Sequence, residues 1–337
     1  PHTARITAAR TDRTPDEGLT VGSLSITQGG QAIRWAASAL RRSILDLAAE
    51  RLGSGDDPLD IVNGRILRDG VDTGLTAGSL APKVDMSRTV ADFAAPREIN
   101  DRWKGGRDLP RIDLEERLTG APFVHDLSMP GMLFGAPVHP PQLNAELISL
   151  DIDTLRSRSG VVEVVKDGSF VGVIAESHHA AERAAEWARA NGRWLREVVE
   201  VGDPVAHIAQ TEAEPQSVVE AGEVNRNDGR WIETTVSRPY IFHASIGPAS
   251  GVAIWEDDTV TVWSHTQGVF PLKRAMAMAL RMPEERITVI HHPGAGCYGH
   301  NGADDAAFDA VLLSRAVPGR PVKVIWSRAD EFRAAPM

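Results

Sequence analysis

The chain is poor in cysteine, with Cys297 alone among 337 residues. One thiol excludes an internal disulfide, an all-cysteine zinc site and an iron–sulfur cluster held by this chain alone. Aromatic residues are sparse at 5%, no basic stretch is interleaved with them, and the formal net charge is −10. That balance argues against a binder of nucleic-acid backbones. No apolar run approaches the length of a membrane span, and Pro1-His2-Thr3-Ala4-Arg5 shows no signal-peptide core. A chain that opens on proline is expected to be processed or truncated, so the location of its precursor, periplasm or cytoplasm, stays open. The length permits a sizeable core and two or three domains.

What the chain does have is concentrated in one stretch, His291 to Asp305, with glycines at 294, 296, 299 and 302 set among His, Cys, Tyr, Asn and Asp side chains. Arg286 to Ile290 before it reads as a strand, and Ala306 to Ala316 after it as a helix stopped by Pro318-Gly319. Glycine permits positive φ and lets backbone amides approach a large polar ligand, and a helix start behind the loop adds free N–H groups. A ligand-binding loop and a tight structural connection both fit this pattern. His291 and His292 stand at its mouth, but adjacent strand side chains diverge, so at most one reaches a site. His178-His179 at a helix start reads as cap or surface. Neither pair has a zinc-protease spacing, and no metal ligand is assigned.

Upstream, Thr14 to Gly30 is a polar, glycine-bearing loop with no element before it to anchor it. Its hydroxyls and glycines either line a cofactor or cap the next helix. Gln31 to Arg51 is amphipathic, with Ile33, Ala37, Leu40, Ile44, Leu47 and Ala48 at helical spacing. Asn63-Gly64 marks a hairpin turn within Leu59 to Leu67. Residues 83 to 110, with Trp103-Lys104-Gly105-Gly106, read as a linker. Strands are expected at 131–138, 145–151, 161–165 and 170–175, followed by a helix from Ala180 to Ala190. Trp231 to Ser237 alternates with period two and predicts another strand, as do 250–255 and 260–263. The last of these delivers Ser264-His265-Thr266-Gln267-Gly268 ahead of a helix from Leu272 to Leu280. Gln267 can donate and accept at once, which suits an oxo group or a substrate carbonyl, or a plain helix cap.

Taken in order, these segments resemble the molybdopterin-binding large subunit of the molybdenum hydroxylases, the xanthine dehydrogenase and aldehyde oxidase superfamily, in the branch of the isoquinoline 1-oxidoreductase beta subunits. The resemblance rests on Thr14-Pro15-Asp16-Glu17-Gly18 with Thr20-Val21-Gly22-Ser23, on Phe123 to Gly135, on His243-Ala244 with Pro248, on Val262 to Gln267, on the glycine loop, and on Arg320 to Glu331. It implies an α+β fold in which a molybdopterin-binding domain, residues 1–110 and 230–337, is interrupted by a smaller hammerhead-like α/β domain at 118–200. It implies Gln267 as the glutamine beside an oxo ligand of molybdenum, the one catalytic position in this chain. Cofactor contacts are implied at Thr20, Gly22, Ser23, Gly294, Gly296, Cys297, Tyr298, Gly299 and His300. Two departures stand out: Ala295 interrupts the glycine run, and Gly247 stands before Pro248 where relatives commonly carry glutamate.

The implied activity is hydroxylation or dehydrogenation of an N-heteroaromatic compound or an aldehyde, with water as oxygen source. The implied cofactor is a molybdopterin-type molybdenum cofactor in its cytosine dinucleotide form. Family large subunits run longer and carry a catalytic glutamate in a later region, which no residue here matches. The chain is therefore expected to work beside a complementary half of the large subunit, a small 2Fe-2S subunit and, in some members, a cytochrome c. A non-catalytic assembly or scaffold subunit on the same fold is the alternative.

Overall fold

The computed structural model describes residues 7–53, 58–87, 89–90, 111, 113–142, 144–195, 202–214, 216–222, 229–239, 241–302 and 305–335. Trp103 to Gly106, most of the 83–110 linker, Tyr240, Ala303 and Asp304 lie outside them. Two compact units emerge, one of residues 1–19 and 122–337, the other of residues 20–121.

In the 20–121 unit a π-helical turn, Ser25–Gly30, runs into α1, Gln31–Leu52. Gly53 closes α1 in the left-handed conformation at φ 57°, which leaves its amide facing the last carbonyls of the helix. A meander of β1 (Leu59–Val62), β2 (Arg65–Arg68) and β3 (Val71–Thr76) follows. Its first turn is the expected Asn63-Gly64, both at positive φ. Thr76 and Ser79 cap α2, Ala77–Leu80, reciprocally, and α3 spans Leu114–Leu118. Ile44 and Ala48 of α1 close a small core with Ile66 and Leu80. The predicted stripe is thus buried only in its second half: Ile33, Ala37 and Leu40 are exposed.

The larger unit is built on one mixed sheet. Its strands are β4 (Leu133–Pro137), β6 (Val161–Asp167), β7 (Phe170–Ala175), β9 (Ser250–Glu256), β10 (Thr259–Ser264), β11 (Ile287–His291) and β12 (Val322–Ile325), in the order β11-β10-β9-β12-β4-β7-β6. A separate ribbon pairs β5 (Glu146–Ser149) with β8 (Arg193–Leu195). The helices are α4 (Ile152–Arg156), α5 (His178–Asn191), α6 (Pro204–Gln210), α7 (Val269–Leu280), α8 (Asp305–Ser314) and α9 (Arg328–Ala334). The α+β class holds. The strand pairing nonetheless cuts the chain differently from the expected 1–110, 118–200 and 230–337. β12 lies parallel to β4, Val322 opposite Leu133, so strands from the 118–200 and 250–326 regions share one sheet. Leu313 of α8 seals that junction: a Cβ at Gly135 or Gly172 would stand 2.5 or 2.4 Å from its methyl carbons. Bare backbone in β4 and β7 is what lets the helix settle there.

Two local expectations fail. Trp231–Ser237 forms no strand, and Trp231, Ile232 and Val236 are exposed; alternation marks a strand only where a ladder partner is available. Conversely, the first described residues are anchored. Arg10 bridges Ile290 antiparallel, and the amides of Thr11 and His291 donate to the carbonyls of Val289 and Ala9. The outer edge of β11 is therefore taken by residues 9–11.

Candidate functional site

β11 ends at His291 and α8 begins at Asp305, so the glycine loop spans one end of the sheet between them. Three segments hold it. The Val124 amide donates to the Pro293 carbonyl at 2.8 Å, the Gly247 amide to Ala295 at 2.8 Å, and the Gln267 amide to Asn301 at 2.9 Å. Ser245 adds a hydroxyl bond to the Cys297 carbonyl at 2.9 Å, and the Asn301 side-chain amide donates to the His265 carbonyl at 2.9 Å. Gln267, half-buried just before α7, and the loop are therefore neighbours, as the sequence led us to expect. α7 starts at Val269, earlier than predicted, with Pro271 inside its first turn.

Within the loop, Gly296, Tyr298 and Gly299 adopt positive φ of 99°, 55° and 93°. Gly294 is bare for a different reason: a Cβ there would lie 2.1 Å from Nδ1 of His265. Cys297 is half-buried, Tyr298 is 58% exposed and His300 is buried. Thr20, Gly22 and Ser23 belong to the 20–121 unit, exposed in the turn before its π-helical segment, with Gly22 and Ser23 at positive φ. Asp16, from the same polar N-terminal segment, reaches α7, where its carboxylate takes Arg274 at 2.7 Å.

Histidines crowd the loop. His291 Nδ1 lies 3.1 Å from the Thr266 carbonyl and His292 Nε2 3.1 Å from the Pro122 carbonyl, so the two rings diverge as anticipated. His178 and His179 are exposed at the start of α5. His125 Nε2 sits 2.7 Å from the Pro248 carbonyl and so carries the proton, which leaves Nδ1 as an acceptor. His265 is the converse: its Nε2 accepts from the Ser250 amide at 3.3 Å, so Nδ1 is protonated. The two rings meet edge to face at 5.4 Å. Burial, and then the neighbouring His125, His291 and His300, push the His265 pKa down to about 3, so this ring is neutral at physiological pH. Burial also lowers His291 and His300. His243 stacks on His300 at 5.5 Å. Among the described residues, Nδ1 of His125, His243 and His265 is buried without a hydrogen-bond partner.

Sequence reasoning missed the buttress behind this loop. Glu331 of α9 is fully buried, accepts from the Ala249 amide at 2.8 Å, and is paired with Arg328 one turn earlier. Arg328 in turn donates to the carbonyls of Ser245 and Ile246. Lys323 of β12 donates to the carbonyls of His125 and Leu127 at 2.9 and 2.8 Å. The usable signal was Ser327-x-x-Asp330, a capping box that fixes which side chains α9 turns inward.

The result is a cradle of backbone and neutral imidazole groups, with unsatisfied donors and acceptors and bare backbone at 294, 296 and 299. That donor set fits a large polar cofactor held by hydrogen bonds. Among the described residues no His, Cys, Asp or Glu cluster is arranged to hold a metal ion directly.

Comparison with known families decides the assignment. Two models, each a molybdopterin cofactor-binding domain, match residues 210–336 and 1–108, together more than half of the chain. The chain belongs to the molybdopterin-binding proteins of the xanthine dehydrogenase and aldehyde oxidoreductase superfamily. Within this superfamily it is 34% identical over 334 residues to a nicotinate dehydrogenase subunit of Pseudomonas putida, covering 95% of this chain and 28% of that protein. It is 24% identical over 350 residues to the membrane-bound aldehyde dehydrogenase (pyrroloquinoline-quinone) of Gluconacetobacter polyoxogenes, covering 96% of this chain and 44% of that one. Quinoline 2-oxidoreductase from Pseudomonas putida 86 shares the fold with a TM-score of 0.54 at 21% identity, over 67% of this chain and 35% of that one. The chain thus spans less than half the length of these molybdopterin-binding relatives. No helix among the described residues is long and apolar enough to cross a membrane.

Proposed function

We propose that this chain forms part of a molybdenum-dependent oxidoreductase that hydroxylates an N-heteroaromatic compound or an aldehyde, with water as oxygen source. The observation that carries this reading is the junction of Gln267 with the loop through Asn301, in a chain whose family binds molybdopterin. The nicotinate and quinoline substrates in the names of two similar proteins favour the heteroaromatic class. Bound in the cradle, a molybdopterin-type cofactor supplies a two-electron redox centre and an activated water. Gln267 would donate from its side-chain amide toward that cofactor. The amides around Gly296 to Gly299, with Gly294, Cys297, Tyr298 and His300, would line it, and Thr20, Gly22 and Ser23 would contact the pterin. His125 and His265 present an acceptor and a donor beneath the loop and hold them neutral.

The single cysteine sends the electrons to a partner chain with 2Fe-2S centres, with a cytochrome c as a further acceptor. The remainder of the large subunit supplies the base that the reaction needs. The cytosine dinucleotide form of the cofactor belongs to the same proposal. Metal analysis of the intact complex, paired with release and identification of the pterin nucleotide, tests it. One molybdenum per chain with a released cytosine nucleotide is expected. A metal-free, pterin-free complex would leave the scaffold role in its place.

A further inference from the structure

On the far side of the 161–175 hairpin, the turn between α4 and β6 faces the start of α5 across a cavity of about 590 Å³. Arg158, Ser159, Gly160, Ser177, His179 and Arg183 line it. Two guanidiniums, an imidazole and two hydroxyls face one space with no carboxylate among its lining residues, in a chain whose net charge is −10. The contrast with neighbouring arginines is sharp. Arg156 is paired with Glu163 at 3.1 Å and Arg189 with Glu182 at 3.6 Å. Arg158 and Arg183, among the described residues, have no carboxylate within 4.0 Å. Arg158 is also held in place, its guanidinium carbon 5.3 Å from the centre of the Trp187 ring. Stacking of that kind fixes the plane and leaves the N–H edges for an anion. The floor is shaped too: Gly160 has φ 79°, and a Cβ on it would stand 2.9 Å from that of Ala180. The Ser177 hydroxyl already accepts from the Ala180 amide at 3.2 Å, so its own proton is free to point into the cavity.

We propose that this cavity binds a phosphate-class dianion, inorganic phosphate or the phosphate of a small monoester. Two guanidinium forks match a tetrahedral oxyanion bidentately and balance two negative charges; chloride or a single carboxylate would satisfy one. The site is separate from the glycine loop and independent of the proposed redox activity.

Isothermal titration of the purified full-length protein with inorganic phosphate at pH 7.5 tests it, with phenyl phosphate and chloride as parallel arms. Saturable binding of one phosphate is expected, at least tenfold weaker in Arg183→Gln and in Arg158→Gln, with chloride silent. Binding of phenyl phosphate as well would place the source among phosphorylated metabolites, and its absence would leave the free ion; either supports the site. Circular dichroism of both variants without ligand establishes that they fold, and phosphate should raise the unfolding temperature of the parent protein alone. No saturable heat at millimolar phosphate, equal binding in both folded variants, or equal displacement by chloride would overturn the proposal.

Discussion

The Glu331 carboxylate holds the Ala249 amide at 2.8 Å, joining α9 to the segment that leads into β9. Glu331 is buried at 1% exposure, and its charge is offset by Arg328. Through that pair the carbonyls of Ser245 and Ile246 are held as well, and Ser245 in turn bonds the loop at Cys297. The loop geometry is therefore fixed from behind, by groups that touch no ligand.

Truncating that carboxylate strands a buried guanidinium contact and an amide. Glu331→Ala should cost about 3 kcal/mol of stability. Glu331→Gln, which keeps an acceptor for the Ala249 amide, should cost less. Urea denaturation of the three proteins compares them; equal midpoints would show that the pair contributes nothing.

Gly294 and Gly302 sit in the same loop with opposite surroundings. A Cβ at 294 meets Nδ1 of His265 at 2.1 Å, whereas one at 302 meets nothing within 4 Å. Gly294→Ala should cost about 1–3 kcal/mol by overpacking, and Gly302→Ala should stay within about 0.5 kcal/mol of the parent. Thermal unfolding of both variants reads the difference. Equal melting temperatures would mean that His265 yields its place freely.

His265 gives a pH signature whose sign follows from its buried neutral ring. The folded-state pKa is about 3 against an ordinary 6.5, so between those values the unfolded chain binds the extra proton. Stability from this group is complete above pH 6.5 and falls as the pH drops toward 3. His265→Gln should flatten stability against pH between 4 and 6 by up to about 1.4 kcal/mol per pH unit. Denaturation at several pH values measures the slope. An unchanged slope would mean that the ring protonates within the fold.

The legibility of this molecule in its sequence follows the distance over which each feature is decided. The loop, the strand before it, the helix after it and the Asn63-Gly64 hairpin were readable because turn chemistry and periodicity are local. Gln267 beside the loop followed from segment order and resemblance. The Glu331–Ala249 and Lys323–His125 contacts join residues 82 and 198 apart in sequence, and no local pattern encodes such pairing. The same limit explains the β12–β4 junction that merges expected domains, the unexpected pairing of residues 9–11, and the alternation at Trp231–Ser237 that finds no ladder.

Gln267 carries the most exposed prediction. Its main-chain amide is committed to Asn301 at 2.9 Å, so removing the side chain should leave the backbone of the site in place. Gln267→Ala is expected to fold with the parent's circular dichroism spectrum and to retain molybdenum close to the parent's content. The turnover number of the intact complex should then fall by an amount equivalent to about 1–3 kcal/mol of lost transition-state stabilisation. Gly299→Val is the opposing control. Its φ of 93° is closed to a branched side chain, so this variant should lose molybdenum as well as activity. Steady-state rates and metal content, measured on both, separate a residue that acts on the bound cofactor from one that shapes its seat. If Gln267→Ala turns over like the parent at equal metal content, the glutamine caps a helix and does no more.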